Sequence, residues 1–387
     1  MVGTSIVSLF YDMFSLSPKK ILYIDNLPAL HNMIEILSTE QYLCVDTEFH
    51  AENRYLPKLM LLQIADLKQN TWIVDPLQFD ITPIADLLNN ANLILHGATE
   101  DLRILNQQYG IHPKSIFDTQ IAASMMGSYY PTRLSNLIAE YLDIHLSQTQ
   151  TLTDWSERPL SKEQIEYAAE DVSALSPLFS FFTQALSDKK ELLAQICAEF
   201  QTEALSQSSQ LSQDWLQWGV SKTLSPTTIN VLFRLLEWRE KQAQKQNKPI
   251  QYILPKNIAL DIARRQPTSI TALKQNRKIH ATLIKQHGVA LLKCIQQGQQ
   301  DPHYHTPYST EELRMGQMIH VWAHAMRSKV IIDAQLLMPY ELALRIAREG
   351  ASSVQGWRKA ILQKPLEAFL TGQSQLVVQD NQPLIRL

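Results

Sequence analysis

Hydrophobic positions between residues 20 and 180 alternate between two periods. Ile21–Ile24, Tyr42–Val45, Leu59–Ala65, Thr71–Val74 and Leu93–Leu95 are short apolar runs bounded by turn residues, the pattern of buried strands. Between them, Pro28–Leu37 places Leu30, Met33, Ile34 and Leu37 at helical spacing, and Ile84–Leu88 reads as a short helix. Glu100–Tyr109 is a further helix, with Gly110 as its expected left-handed cap. Phe117-Asp118-Thr119 opens another element. Ser161–Phe182 starts with Ser161 and Gln164 three residues apart, the capping-box spacing. Strands interleaved with helices predict an α/β domain on a mixed sheet.

Past about residue 185 the strand patterns stop. Residues 204–213 are rich in Ser and Gln and read as a linker. Residues 224–300 and 305–372 read as helices with short polar breaks. One segment runs from Lys248 to Pro255 and then into Ile258–Ala263. A second runs from Ser328 to Asp333, then through Leu336-Leu337 into Tyr340–Arg345. Both read as a polar break, a short extended apolar segment and a helix, which predicts two copies of one small helical domain. The expected division is an extension over 1–19, a catalytic domain over 20–195, a linker over 196–222, and helical domains over 223–300 and 301–387.

The formal charge of −3 conceals an asymmetry. Residues 1–195 carry 12 Lys+Arg against 24 Asp+Glu, net −12; the remainder carries 23 against 14, net +9. A basic half suggests a polyanionic partner, although solvated helix faces look the same. The three cysteines, Cys44, Cys197 and Cys294, are far apart and form no C-x-x-C pair. They fit a reducing, cytoplasmic setting and argue against a disulfide framework or a zinc site. No apolar run is long enough for a membrane helix, and the N-terminal stretch lacks the marks of a signal peptide. Neither a membrane nor an obligate protein partner is expected.

The chemistry lies in four acids. Asp46 and Glu48 are two apart on a strand, so both project to one face while Thr47 points to the other. Two carboxylates about 5 Å apart at an effective dielectric near 20 cost about 3 kcal/mol unless a cation offsets them. A bare Asp-x-Glu can equally be a solvated strand end. Asp101 opens a helix just after His96-Gly97 and alone reads as a first-turn acid. Tyr167 and Asp171 are four apart on the capped helix and share a face. Together Asp46, Glu48, Asp101 and Asp171 form the oxygen-only set that Mg²⁺ or Mn²⁺ prefers, and such a set can hold two ions.

This ordered set resembles the DEDD exonuclease superfamily in its tyrosine subgroup. The resemblance rests on Val45-Asp46-Thr47-Glu48-Phe49, His96-Gly97-Ala98-Thr99-Glu100-Asp101-Leu102 and Tyr167-Ala168-Ala169-Glu170-Asp171-Val172. The sister subgroup carries a histidine five residues before the last acid, where this chain has Glu166. Further similar motifs are Tyr55–Gln63, Phe117-Asp118-Thr119-Gln120 and Asp154-Trp155-Ser156-Glu157-Arg158-Pro159-Leu160. With the helical C-terminal half, these look like the ribonuclease D family over roughly residues 20–375. The resemblance implies a ribonuclease H-like catalytic domain followed by two HRDC-like helical bundles. It also implies a 3′→5′ exoribonuclease using two divalent cations, Mg²⁺ or Mn²⁺. Asp46, Glu48 and Asp171 would hold one ion, Asp46 would bridge to the other, and Asp101 would support the second. Tyr167 would orient the attacking water, since a phenol with pKa near 10 is a poor base at neutral pH. The implied substrate is RNA with a single-stranded 3′ end, such as a tRNA precursor, and the products are 5′-mononucleotides.

Other candidates are less specific. Phe49 and Tyr55 could stack on bases, with a core role open for Phe49. His96 could touch substrate or simply make the turn. Arg158 could meet phosphate or a buried acid. Residues 224–300 carry 13 Lys+Arg against three acids, Glu237, Glu240 and Asp261. Arg234, Arg239, Lys241, Lys245 and Lys248 cluster on one amphipathic helix and its end, so this stretch, which resembles an HRDC domain, is expected to bind RNA phosphates. Two other readings stay open: a DNA 3′→5′ exonuclease, and a non-catalytic RNA-binding scaffold.

Overall fold

The computed structural model describes residues 18–50, 52–144, 154–206, 224–301, 308–326, 330–379 and 382–386. Most of the expected N-terminal extension, the linker beyond Ser206, and Ser328-Lys329 at the start of the second repeat lie outside the described residues.

Six strands form one mixed sheet: β1 (Lys20–Ile24), β2 (Tyr42–His50), β3 (Lys58–Ala65), β4 (Asn70–Val74), β5 (Asn92–Leu95) and β6 (Ser115–Asp118). Their spatial order is β1-β4-β3-β2-β5-β6. β2, β3 and β4 run antiparallel to one another, while β1 joins β4, and β5 and β6 extend from β2, all in parallel. β2 continues through His50, past the apolar run that marks its start. Helices α1 (Leu27–Leu37), α2 (Ala85–Asn90), α3 (Thr99–Tyr109), α4 (Thr119–Met125) and α5 (Leu134–Leu142) alternate with or follow the strands. Gly110 closes α3 at φ 66°, ψ 26°, a left-handed conformation that glycine adopts without a Cβ penalty.

The period of two in β2 decides the layers. Leu43 and Val45 enter the large core with α1, α3 and α5 residues such as Leu30, Leu102 and Ile138. Cys44 faces the other way, against Ala65, Ile94, Val172 and Leu175. Val172 and Leu175 belong to α6 (Lys162–Ala185), which lies across this second face. The capping box at Ser161 and Gln164 is present in both directions.

α7 (Lys190–Leu205) corrects the linker expected from residue 196. Residues 196–205 complete this helix, because Leu193, Ile196, Cys197 and Ala204 recur at helical spacing and are all buried. Ser/Gln content had moved the expected boundary too early.

The helical half follows: α8 (Pro226–Gln246), α9 (Ile250–Ile253), α10 (Lys256–Arg265), α11 (Ile270–Gln275), α12 (Ala281–Gln300), α13 (Thr310–Ala325), α14 (Ala334–Leu337), α15 (Tyr340–Glu349) and α16 (Gly356–Leu370). The repeat is visible in the backbone. α9 and α14 have four residues each, both are followed by an extended residue and a proline (Leu254-Pro255, Met338-Pro339), and both lead into ten-residue helices. The segments expected to be extended are therefore single helical turns. A C-terminal hairpin, β7 (Gln375–Gln379) with β8 (Gln382–Arg386), also corrects the expectation that strands end near residue 185. Its Leu376, Val377 and Val378 form an apolar run too short to stand out beside the helices.

The chain divides into two compact units. One contains residues 1–50, 58–206 and 318–387; the other contains 51–57 and 207–317. The second helical copy thus shares a unit with the sheet instead of standing as a separate 301–387 domain. Ile319, Trp322, Leu337, Leu362 and Leu366 join the sheet's main core. Arg358 donates from Nη1 to Glu199 Oε1 at 2.5 Å, and from Nε and Nη2 to the Leu337 and Leu336 carbonyls.

The other unit has its own core of Leu232, Leu235, Ile258, Ile262, Leu291 and Ile295. There α12 passes α8 so closely that a Cβ on Gly298 would lie 2.5 Å from the Val231 Cα. Backbone cannot yield as a side-chain tip can. Gly298→Ala is therefore expected to destabilise this unit by about 1–3 kcal/mol, read as a lower denaturant midpoint with an unchanged slope.

Candidate active site

Asp46 stands opposite Gln63 and Glu48 opposite Leu61, with a β-bulge immediately after Glu48. Both side chains lie on the Cys44 face, which α6 covers, so Asp171 on that helix reaches the same place. β5 accompanies β2 only as far as Cys44↔Ile94, so among the described residues no strand pairs with this edge of β2 beside Asp46 and Glu48. Asp101, in the first turn of α3, approaches from the opposite layer. The Thr47 hydroxyl, on that opposite face, donates a hydrogen bond to Asp101 Oδ1. Strand alternation points Thr47 away from the two acids but gives it no task; its partner is visible only once α3 is positioned.

The four carboxylates feel one another. Burial, then the charges of Asp101, Glu48 and Asp171, hold Asp46 well above the ordinary carboxylate range, against a hydrogen bond from the Thr47 backbone. Burial, Asp171 and Asp101 push Glu48 to about 8. Burial raises Asp101 to about 6 despite the Thr47 hydrogen bond. Burial likewise raises Asp171 to about 6, partly countered by a hydrogen bond from Tyr167. Tyr167 itself is held above its ordinary value by burial and by its bond to the Asp171 carboxylate. Its ring lies 6.3 Å from that of Trp155.

Acids confined together raise their proton affinity unless a cation is supplied. The donor set, four carboxylates and nothing softer, fits a hard divalent ion of the Mg²⁺ or Mn²⁺ type. Among the described residues no three His, Cys, Asp or Glu side chains already stand as a closed ligand cage, as mutual repulsion alone would dictate.

Comparison with known proteins agrees with this geometry. A family described as 3'-5' exonuclease matches residues 21–187, and the HRDC domain family matches residues 229–295. A ribonuclease D of Nitrobacter hamburgensis is 30% identical over 366 residues, covering 89% of this chain and 93% of that protein. The chain belongs to the ribonuclease D family. A ribonuclease D of Pseudomonas paraeruginosa is 29% identical over 355 residues, covering 83% of this chain and 90% of that protein. The crystal structure of Escherichia coli RNase D superposes with a TM-score of 0.77 at 23% identity, over 91% of this chain and 99% of that one. It shows the same fold, a mixed-sheet exonuclease domain followed by helical HRDC regions. The protein is thus a ribonuclease D-like 3′–5′ exoribonuclease, and exonucleases of this group generally use divalent metals.

Within this ribonuclease D fold the remaining candidates separate. Arg158 is not available to phosphate. Its Nε and Nη2 grip Asp75, which is fully buried, at 2.5 and 2.8 Å. Its Nη1 reaches the Trp155 and Glu157 carbonyls, and Nη2 also reaches the Met60 carbonyl. Holding the Trp155 carbonyl, Arg158 steadies the indole that packs beside Tyr167. His96 is also engaged on both nitrogens, 2.9 Å from Thr119 Oγ1 and 2.9 Å from the Thr132 carbonyl. Burial lowers its pKa, so it is a neutral ring tying two loops. Phe49 is half-buried against the main core.

In the other unit, Tyr55 donates from its hydroxyl to Glu240 and accepts from Gln244 Nε2 at 3.0 Å, while Asn247 Oδ1 accepts from the Tyr55 and Leu56 backbone. Arg239 is buried, with Nη1 toward the Leu254 carbonyl, and so is unsuited to a phosphate contact. Arg234 pairs with Glu237 and Asp301. Lys241, Lys245 and Lys248 remain exposed. Spacing put all five cations on one helix and its end; burial and nearby acids, which spacing does not reveal, divide them.

Among the described residues no helix is long and apolar enough to cross a membrane.

Proposed function

We propose that Asp46, Glu48, Asp101 and Asp171 hold two divalent cations, Mg²⁺ or Mn²⁺, and that the enzyme removes 5′-mononucleotides from the 3′ end of RNA. Bound there, such ions would generate hydroxide at neutral pH and stabilise the leaving oxygen. The observation that carries this is the mutual electrostatic coupling of four acids, drawn from a strand and two helices, in one buried place. Thr47 fixes the Asp101 carboxylate. Tyr167 keeps its proton throughout, because burial and the Asp171 charge oppose ionisation. It therefore acts as a hydrogen-bond donor that positions the attacking water or the scissile phosphate, and not as a general base. Exposed lysines on α8 and its end supply sequence-independent attraction for the RNA backbone. A precursor tRNA, structured but ending in a single-stranded 3′ tail, suits a site that must thread one strand.

Tyr167→Phe is expected to lower kcat by about 10²-fold with little change in KM, the loss of one positioned donor. Matched RNA and DNA oligonucleotides, with Mg²⁺ or Mn²⁺ supplied, test the reading as a whole. Preference for DNA, or no cleavage by the parent enzyme, would overturn it.

A further inference from the structure

Outside the active site, the unit built on α8 to α12 contains a cavity of about 290 Å³, lined in part by Lys248, Tyr252, Lys278, His280 and His287. None of the described residues lining it is acidic. Its volume lies at the lower end of the range for small-ligand pockets, roughly 300–1,000 Å³, which suits one nucleotide and excludes a folded RNA element.

The chemistry of its walls is divided. On one side stand the two ammonium groups and the start of α12. His280 caps that twenty-residue helix, its Nδ1 accepting from the Thr282 N–H at 3.3 Å. That bond leaves His280 Nε2 as a donor toward a ligand. A helix N-terminus flanked by two lysines and a histidine is an arrangement made for phosphate. Lys278 is not committed elsewhere: its distance to Asp261 is 3.9 Å, and Asp261 is held more closely by Arg265 at 2.9 Å and by Asn276. An exposed pair of that length contributes little.

On the other side is Tyr252, 67% exposed, an unusual state for an aromatic ring in a helical bundle. Its hydroxyl donates to Asn53 Oδ1 at 3.0 Å. The ring is thus steadied at one end while its surface stays open to solvent. His287 meets Trp238 edge-on with ring centroids 5.2 Å apart, and burial keeps it toward the neutral form, so it closes the cavity without adding charge.

We infer that this cavity is a dedicated subsite for one nucleotide of a single-stranded RNA segment. Its backbone phosphate is held by Lys248, Lys278 and His280, and its base stacks on Tyr252. The inference rests on RNA being the substrate and adds to that reading a fixed anchoring point, in place of diffuse attraction to the α8 lysines.

The test uses the full chain carrying Asp46→Asn, so that RNA is bound without being cut, and follows the anisotropy of a labelled single-stranded RNA across a salt series. Lys248→Ala with Lys278→Ala is expected to weaken binding and to shrink the slope of log K against log salt by about 0.7 for each phosphate no longer neutralised. Lys364→Ala, on α16 and outside the cavity, controls for net charge and should leave the slope unchanged. Tyr252→Ala is expected to weaken binding about tenfold, the effect of removing one stacked base. Tyr252→Phe, which removes only the hydroxyl bond, should retain affinity. All these side chains are exposed, and thermal melts verify that each variant is folded.

Unchanged affinity and slope in the combined lysine and Tyr252→Ala variant would overturn the inference. So would calorimetry showing that uridine 5′-monophosphate fills the cavity of the parent without competing with RNA, which would make it a site for free product. Neither result touches the nuclease reading, which stands or falls on cleavage by the parent enzyme.

Discussion

Asp46→Asn is expected to reduce kcat on RNA by at least about 10³-fold while leaving the fold intact. Asp46 is the carboxylate on which the other three act together, and under the proposed mechanism it is shared by both cations. Loss of about 4 kcal/mol of transition-state stabilisation corresponds to that factor. The stability side of the prediction follows from the same observation. Burial and three neighbouring acids already favour the uncharged form of Asp46. An amide of the same shape is therefore a mild change, and it removes one source of repulsion. In chelator, the melting temperature of the variant should match or exceed that of the parent. Adding Mn²⁺ should then raise the melting temperature of the parent by mass action and that of the variant much less. Single-turnover assays and paired melts read both halves. Activity retained in the variant would remove Asp46 from the site, and collapse of the metal-free melt would make it a structural residue.

Arg158→Ala is expected to destabilise the unit containing the sheet by about 3–5 kcal/mol, since it strands a buried carboxylate. Asp75 is fully buried between strand β4 and the loop preceding α6, and it also accepts from Tyr23 Oη at 2.5 Å and the Leu77 N–H at 2.9 Å. Burial pushes its carboxyl up, but the hydrogen bonds from Arg158, Tyr23 and Leu77, with the Arg158 charge, outweigh burial and hold it below the ordinary value. A depressed carboxyl contributes stability that is present above its unfolded pKa and is lost as pH falls through the folded one. The gap between parent and variant should therefore be widest near neutral pH and narrow as pH drops below about 4. Denaturant titrations across that range check the sign. A gap that widens in acid would contradict the assignment. The double change Asp75→Asn with Arg158→Met should recover much of the loss, because no charge is then left buried alone. The same ion pair explains why Arg158 lies in a motif shared with the family without touching RNA: it holds the chain beside Trp155, and Trp155 backs Tyr167.

Short-range pattern in the chain was enough to establish the alternation of periods that builds a mixed sheet, the capped helix that carries Tyr167 and Asp171, and the face shared by Asp46 and Glu48. Each of these depends on interactions within a few residues along the chain, where backbone geometry leaves few choices. The doubled helical segment was legible for the same reason, through Leu254-Pro255 and Met338-Pro339 punctuating two similar runs. What each charge does was settled by packing between distant segments. Packing brought Asp101 around the edge of the sheet to Thr47 and Asp46, buried Arg158 on Asp75, and buried Arg239 while leaving Lys241 exposed. It also merged the second helical copy with the catalytic core through Trp322, Leu337 and Arg358. A charged side chain reads the same in sequence whether water, a metal or a partner compensates it. Only the folded arrangement sets the local dielectric and the neighbours, and these fix its role.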